Sequence, residues 1–93
     1  MPSSLKSFEE FDALLAASRK EVEAMMIEEP ADPAIHSVHL QLEALHGWTR
    51  GGRRPEQSEK DRLNFGAIAS RQLDVYPVAK SLYELASYVI YWS

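Results

Sequence analysis

The chain has no cysteine in its 93 residues, an absence that removes disulfides, thiolate metal sites and cysteine nucleophiles together. Glycine is scarce, with four residues, and no G-x-x-x-x-G-K-[ST] run or preceding strand is present to form a P-loop. Long hydrophobic runs are also missing. The most apolar stretch lies near the C-terminus and Glu84 interrupts it, far short of the roughly 20 apolar residues that cross a bilayer. No basic leader followed by an apolar segment opens the chain, so neither a signal peptide nor a membrane association is expected, and the expected location is the cytoplasm. Positive charge is in deficit, with 10 Lys and Arg against 14 Asp and Glu for a net charge of −4. That balance argues against nucleic acid as the main partner, because phosphate binding needs a basic footprint.

What is present suits one small globular domain. Apolar residues make up 45% and aromatics 10% of the chain, too much of both for disorder. A chain of this size buries about 60–65% of its unfolded surface, enough for one core and one domain spanning residues 1–93. Charge is uneven along it: residues 1–30 carry seven acids against three bases, whereas residues 50–72 carry six bases against three acids. The acidic first part favours a partner whose own surface is basic.

Apolar periodicity predicts four helices and no strand. The first runs from about Ser7 to Glu29, with Phe8, Phe11, Leu15, Val22 and Met25/Met26 on its buried face and a capping box formed by Ser7 and Glu10. Pro30 and Pro33 stop it. Asp32 caps the second, from about Pro33 to Trp48, with Pro33 at its first position and Ile35, Val38, Leu42 and Leu45 inward. After the loop RGGRRPEQS, Ser58 caps a third helix reaching about Leu73. The fourth starts near Tyr76–Pro77, and Val78, Leu82, Leu85, Val89 and Trp92 repeat along it as a packing seam. Leu63, Gly66, Ala67 and Ser70 on one side of helix three, and Phe65, Ile68, Ala69 and Gln72 on the other, place it centrally. Gly66 there costs roughly 1 kcal/mol relative to Ala, which a close neighbouring backbone would explain. The expected architecture is all-α, a compact antiparallel four-helix bundle with short connections.

Few constellations carry chemistry. All three histidines lie on helix two, and His36, His39, Glu43 and His46 fall within an arc of about 80° at 100° per residue. Imidazole and carboxylate on one stripe are zinc-ligand types, but three turns spread these four too widely for a single ion, so no metal is expected of the stripe; a partner-facing edge or an ordinary polar edge remain. Arg50, Gly51, Gly52, Arg53 and Arg54 suggest an anion nest, against which stands a solvated, flexible connection. With no cysteine, a Ser or Thr nucleophile would need a histidine base, and the histidines all lie on one helix. No Glu-x-x-His pair builds a di-iron site. No catalytic or cofactor-binding residue is therefore assigned, and the expectation is a binding module rather than an enzyme. Tyr76, Tyr83, Tyr88, Tyr91 and Trp92 concentrate aromatic mass at the end, where Tyr88 and Tyr91 are expected partly outside the core.

The stretch from Arg62 to Val89 resembles the small all-helical immunity proteins of bacterial type VI secretion, in particular the family that protects against the NAD(P)⁺-glycohydrolase effector. The positions that carry the resemblance are Leu63, Phe65, Gly66, Ile68, Ala69, Arg71, Asp74 and Pro77, and the segment LQLEALHGW (Leu40 to Trp48) sits where the family has its second long helix. The segment from Asp74 to Pro77 is one residue shorter than the family pattern, and no acid precedes the proline. What the resemblance implies is an immunity protein that binds a cognate toxin domain, occludes its active site and so protects the producing cell, the toxin being NAD(P)⁺-cleaving or otherwise nucleotide-using. It implies no contact residues. From charge and patterning, the candidate toxin contacts are Glu10, Glu21 and Glu28 on helix one with His36, His39, Glu43 and His46 on helix two. The alternative is a helical scaffold or oligomerisation domain acting through the Tyr/Trp-rich last helix, and a homodimer is also a form open to the protein when toxin is absent.

Overall fold

The computed structural model describes residues 3–92. Five α-helices follow in order: α1 (Phe8–Glu28), α2 (Pro33–Thr49), α3 (Gln57–Lys60), α4 (Phe65–Gln72) and α5 (Val78–Ile90), with a 3₁₀ turn over Arg50–Gly52 after α2. No strand occurs among the described residues. The long helices close a ring in which α1 packs on α2 and α5, and α4 packs on the same two. This is an all-α four-helix bundle, with α3 a single turn in the connection from α2 to α4.

Local chemistry sets the helix ends where the sequence placed them. The Ser7 hydroxyl accepts from the Glu10 N–H at 3.2 Å, while the Glu10 carboxylate accepts from the Lys6 N–H at 3.0 Å, one residue upstream of the capping-box position. Asp32 Oδ1 accepts from the Ala34 N–H at 2.9 Å, and Pro33 occupies the first helical position. Along α1 the buried residues Phe11, Leu15, Ser18, Val22 and Met25 alternate by four and three, and on α2 Ile35, Val38, Leu42, Leu45 and Thr49 do the same. Val78, Leu82, Leu85 and Val89 of α5 meet them in the core. At one end Phe11 stacks on Tyr88 with ring centroids 4.8 Å apart, and Trp92 meets Tyr88 edge-on at 5.1 Å. Tyr88 is half-buried, as expected, and joins this aromatic cluster at the edge of the core.

The expected third helix is two. It breaks between Lys60 and Phe65 because Asn64 is held by Gln41 of α2: the Asn64 N–H donates to Gln41 Oε1 at 2.7 Å, and Gln41 Nε2 donates to Asn64 Oδ1 at 2.6 Å. With φ at −139°, Asn64 cannot continue a helix. Glu56 rather than Ser58 caps the first piece. Nor is this region central. Phe65 and Ala69 are buried on α4, but Ala67, Ser70 and Gln72 face outward, so α4 is one corner of the ring. A neighbour does come close over Gly66, but it is a side chain and not the expected backbone: a Cβ there would lie 3.0 Å from the Ala86 Cβ of α5.

The N-terminal segment is tied to α5. The Ser3 hydroxyl and the Ser4 N–H each donate to Glu84 Oε2 at 2.7 Å, and the Ser4 hydroxyl donates at 2.9 Å. These three donors hold the Glu84 carboxyl below its ordinary value.

Candidate functional site

The histidine-bearing flank of α2 is completed by α1. Arg19 projects across the α1–α2 seam and grips Glu43 with two parallel bonds, Nε to Oε2 at 2.8 Å and Nη2 to Oε1 at 2.9 Å. That fork geometry matches a carboxylate bidentately. The Arg19 hydrogen bond, aided by the Arg19, His39 and His46 charges, holds the Glu43 carboxyl below its ordinary value, and the same pairing raises Arg19. His39 sits one helical turn before Glu43 and is half-buried. Glu23, one turn after Arg19 on α1, closes the group. One ligand-type atom each from Glu23, His39 and Glu43 lie within 4.8 Å of one another.

The other expected contact residues are placed apart. His36 Nε2 lies 2.7 Å from the Pro30 carbonyl oxygen, so this ring is engaged with the α1–α2 turn. His46 is half-buried near Glu43. Glu10 is used at the start of α1. Glu21 and Glu28 are exposed, and at 100° per residue they share a flank with Glu10 opposite the flank that carries Arg19. The acidic stripe of α1 and the His/Glu stripe of α2 therefore do not merge into one surface. What joins the α2 stripe is Arg19 and Glu23. Neither stands out in the sequence, because a pairing 24 residues apart is set by how the helices pack and not by any local spacing.

The basic loop is largely exposed, as a solvated connection should be, and is fastened to the fold at several points. Arg53 donates to the Trp48 carbonyl at 2.9 Å and pairs with Glu59 at 3.0 Å. The Glu59 carboxylate also accepts from the Glu56 N–H at 2.9 Å, and these bonds lower its pKa. Gly51 and Gly52 take φ of 74° and 90°, the left-handed region where a side chain is strained. Pro55 is buried, and the Arg62 guanidinium lies 5.7 Å from the Trp48 ring centroid. Arg53, the middle of the three loop arginines, is thereby engaged within the fold.

A second surface lies between α4 and α5. An open apolar groove of about 270 Å³ is lined by Leu63, Phe65, Gly66, Ala86, Val89 and Ile90, with Lys60 at its rim. Ile90 is 67% exposed beside it, and Tyr83 and Tyr91 are also exposed. No helix among the described residues is long and apolar enough to cross a membrane. No family model matches the chain, and no curated protein or solved structure does either.

Proposed function

We propose that the protein is an immunity protein that binds the toxin domain of a cognate secreted antibacterial effector and blocks its active-site cleft. The resemblance of residues 62–89 to the type VI immunity family supplies the class of target, an NAD(P)⁺-cleaving or related nucleotide-using toxin. The observation that supports a binding role is that exposed carboxylates line both flanks of α1, Glu21 and Glu28 on one and Glu9, Asp12 and Glu23 on the other. A cleft that holds a pyrophosphate is basic, and an acidic helical surface complements it. The test is growth of cells expressing the toxin domain of any effector encoded beside this gene, with and without this protein, with NAD⁺ followed throughout. Rescue with NAD⁺ preserved is the expected outcome; unrelieved toxicity overturns the reading for that pair.

Because the two candidate stripes lie on different flanks, two variants separate them. Glu21→Lys with Glu28→Lys tests the α1 flank, and His39→Glu with His46→Glu tests the α2 flank. Whichever flank holds the hot spots should lose about 2 kcal/mol or more of toxin binding, roughly 30-fold in Kd by titration calorimetry.

The second reading, self-association through the last helix, draws on a specific feature: Tyr83, Ala86 and Ile90 form one stripe of α5 at helical spacing beside the apolar groove. Light scattering at two concentrations tests it. A mass of twice 10.5 kDa that returns to the monomer value in Ile90→Glu would favour it.

A further inference from the structure

We propose that Glu23, His39 and Glu43 form a divalent-cation site of the zinc class across the α1–α2 seam. The stripe of three histidines on α2 does not converge on one point, but two of its members do once α1 is in place. His39 and Glu43 are four residues apart on one helix and so project side by side. Glu23 reaches them from the facing helix, and the three ligand atoms lie within 4.8 Å of one another. Zinc bonds nitrogen and carboxylate oxygen at about 2.0–2.2 Å, which brings tetrahedral ligand atoms to roughly 3.3 Å apart. The closure needed is at most about 1.5 Å, within the reach of side-chain rotamer adjustment. One imidazole and two carboxylates form a donor set of the kind that holds zinc with a fourth position open to water or to a partner's side chain.

The charge around Arg19 points the same way. Glu43 pairs with Arg19 directly, and Glu23 and Asp12 act on the same guanidinium at longer range. Arg19 takes both oxygens of Glu43, so a metal ion bound there has to displace it from at least one of them. A dication neutralises Glu23 and Glu43 together, which one guanidinium does not, and the Asp12 charge remains near the displaced Arg19. Arg19 is accordingly the competitor of the metal. The ligands of this site overlap the candidate toxin contacts, but zinc binding is read on the protein alone and so stands or falls separately from that reading.

The test uses the full chain and zinc alone, with affinity read by competition against a chromophoric chelator and folding checked by circular dichroism. One ion per chain is expected, with a melting temperature that rises with zinc and falls back with chelator. Glu23→Gln and His39→Ala should each weaken zinc binding at least tenfold, while Arg19→Met, which removes the competitor, should tighten it at least threefold. His36→Ala should leave it unchanged. Absence of saturable binding overturns the proposal. So does binding unaffected by Glu23→Gln, an exposed substitution that leaves the core intact. Loss of binding in His36→Ala with none in Glu23→Gln would likewise overturn it, by assigning the ion to the α2 surface alone.

Discussion

Ser18 lies 2% exposed on the core face of α1, and its hydroxyl has no hydrogen-bond partner. A buried orphan of this kind costs about 1–3 kcal/mol of desolvation, and serine is a weaker helix former than alanine. Ser18→Ala is therefore expected to stabilise the fold by about 1 kcal/mol, raising Tm by roughly 4–8 °C for a domain of this size. A calorimetric scan checks it, and a lower Tm would mean that the hydroxyl is satisfied in solution. Three carboxylates respond to pH in one direction. Glu43 is held ionised by Arg19, Glu59 by the Glu56 N–H and Arg53, and Glu84 by Ser3 and Ser4. A carboxyl depressed in the folded state stabilises the fold above its unfolded pKa, near 4.3 for glutamate, and that contribution disappears as pH falls through the folded value. Urea midpoints should hold from pH 7 to about 5 and then decline. Glu84→Gln should make the acid limb shallower, by a small amount because the group is well solvated.

Between elements, the contact of α4 with α5 turns on a pair of small residues. A Cβ at Gly66 meets the Ala86 Cβ at 3.0 Å, closer than methyl groups rest in a relaxed core. Alanine would add about 1 kcal/mol of helix propensity at position 66, and the clash opposes it. Gly66→Ala alone is expected to be destabilising by about 0.5–1 kcal/mol. In an Ala86→Gly background the same substitution should stabilise by about 1 kcal/mol. A double-mutant cycle in urea reads the coupling, which should lie near 1.5–2 kcal/mol; simple additivity would show that the two helices can move apart freely.

Across the whole molecule, one core supports every surface discussed. Phe11 is fully buried and stacks on Tyr88 of α5 while its helix also faces α2. Phe11→Ala should cost about 3–5 kcal/mol, a large share of the 5–15 kcal/mol that holds a typical domain. Tryptophan fluorescence during urea unfolding would report it, since Trp92 packs on the same ring at 5.5 Å. The ring arrangement also distributes the faces. The α1–α2 seam carries the polar cluster, and the α4–α5 side carries the apolar groove, so partner binding and self-association would draw on different surfaces.

The helical class, the four main segments, the caps Ser7 and Asp32 and most core positions were legible in the sequence. Each depends on a spacing of three or four residues or on a capping side chain within three residues of its target, and such interactions are written locally. The break at Asn64 was not legible, because Gln41 imposes it from 23 residues away, and local periodicity alone runs through it. The corner position of α4 was hidden for a related reason: small residues on two sides of a helix indicate close packing without saying how many neighbours it has. The candidate site divides along the same line. His36, His39, Glu43 and His46 share a stripe by the period of one helix. That Arg19 clasps Glu43, that Glu23 approaches His39, and that Glu10, Glu21 and Glu28 fall on another flank follow only from the rotation of α1 against α2, which burial of Leu15, Val22, Val38 and Leu42 in a common core decides.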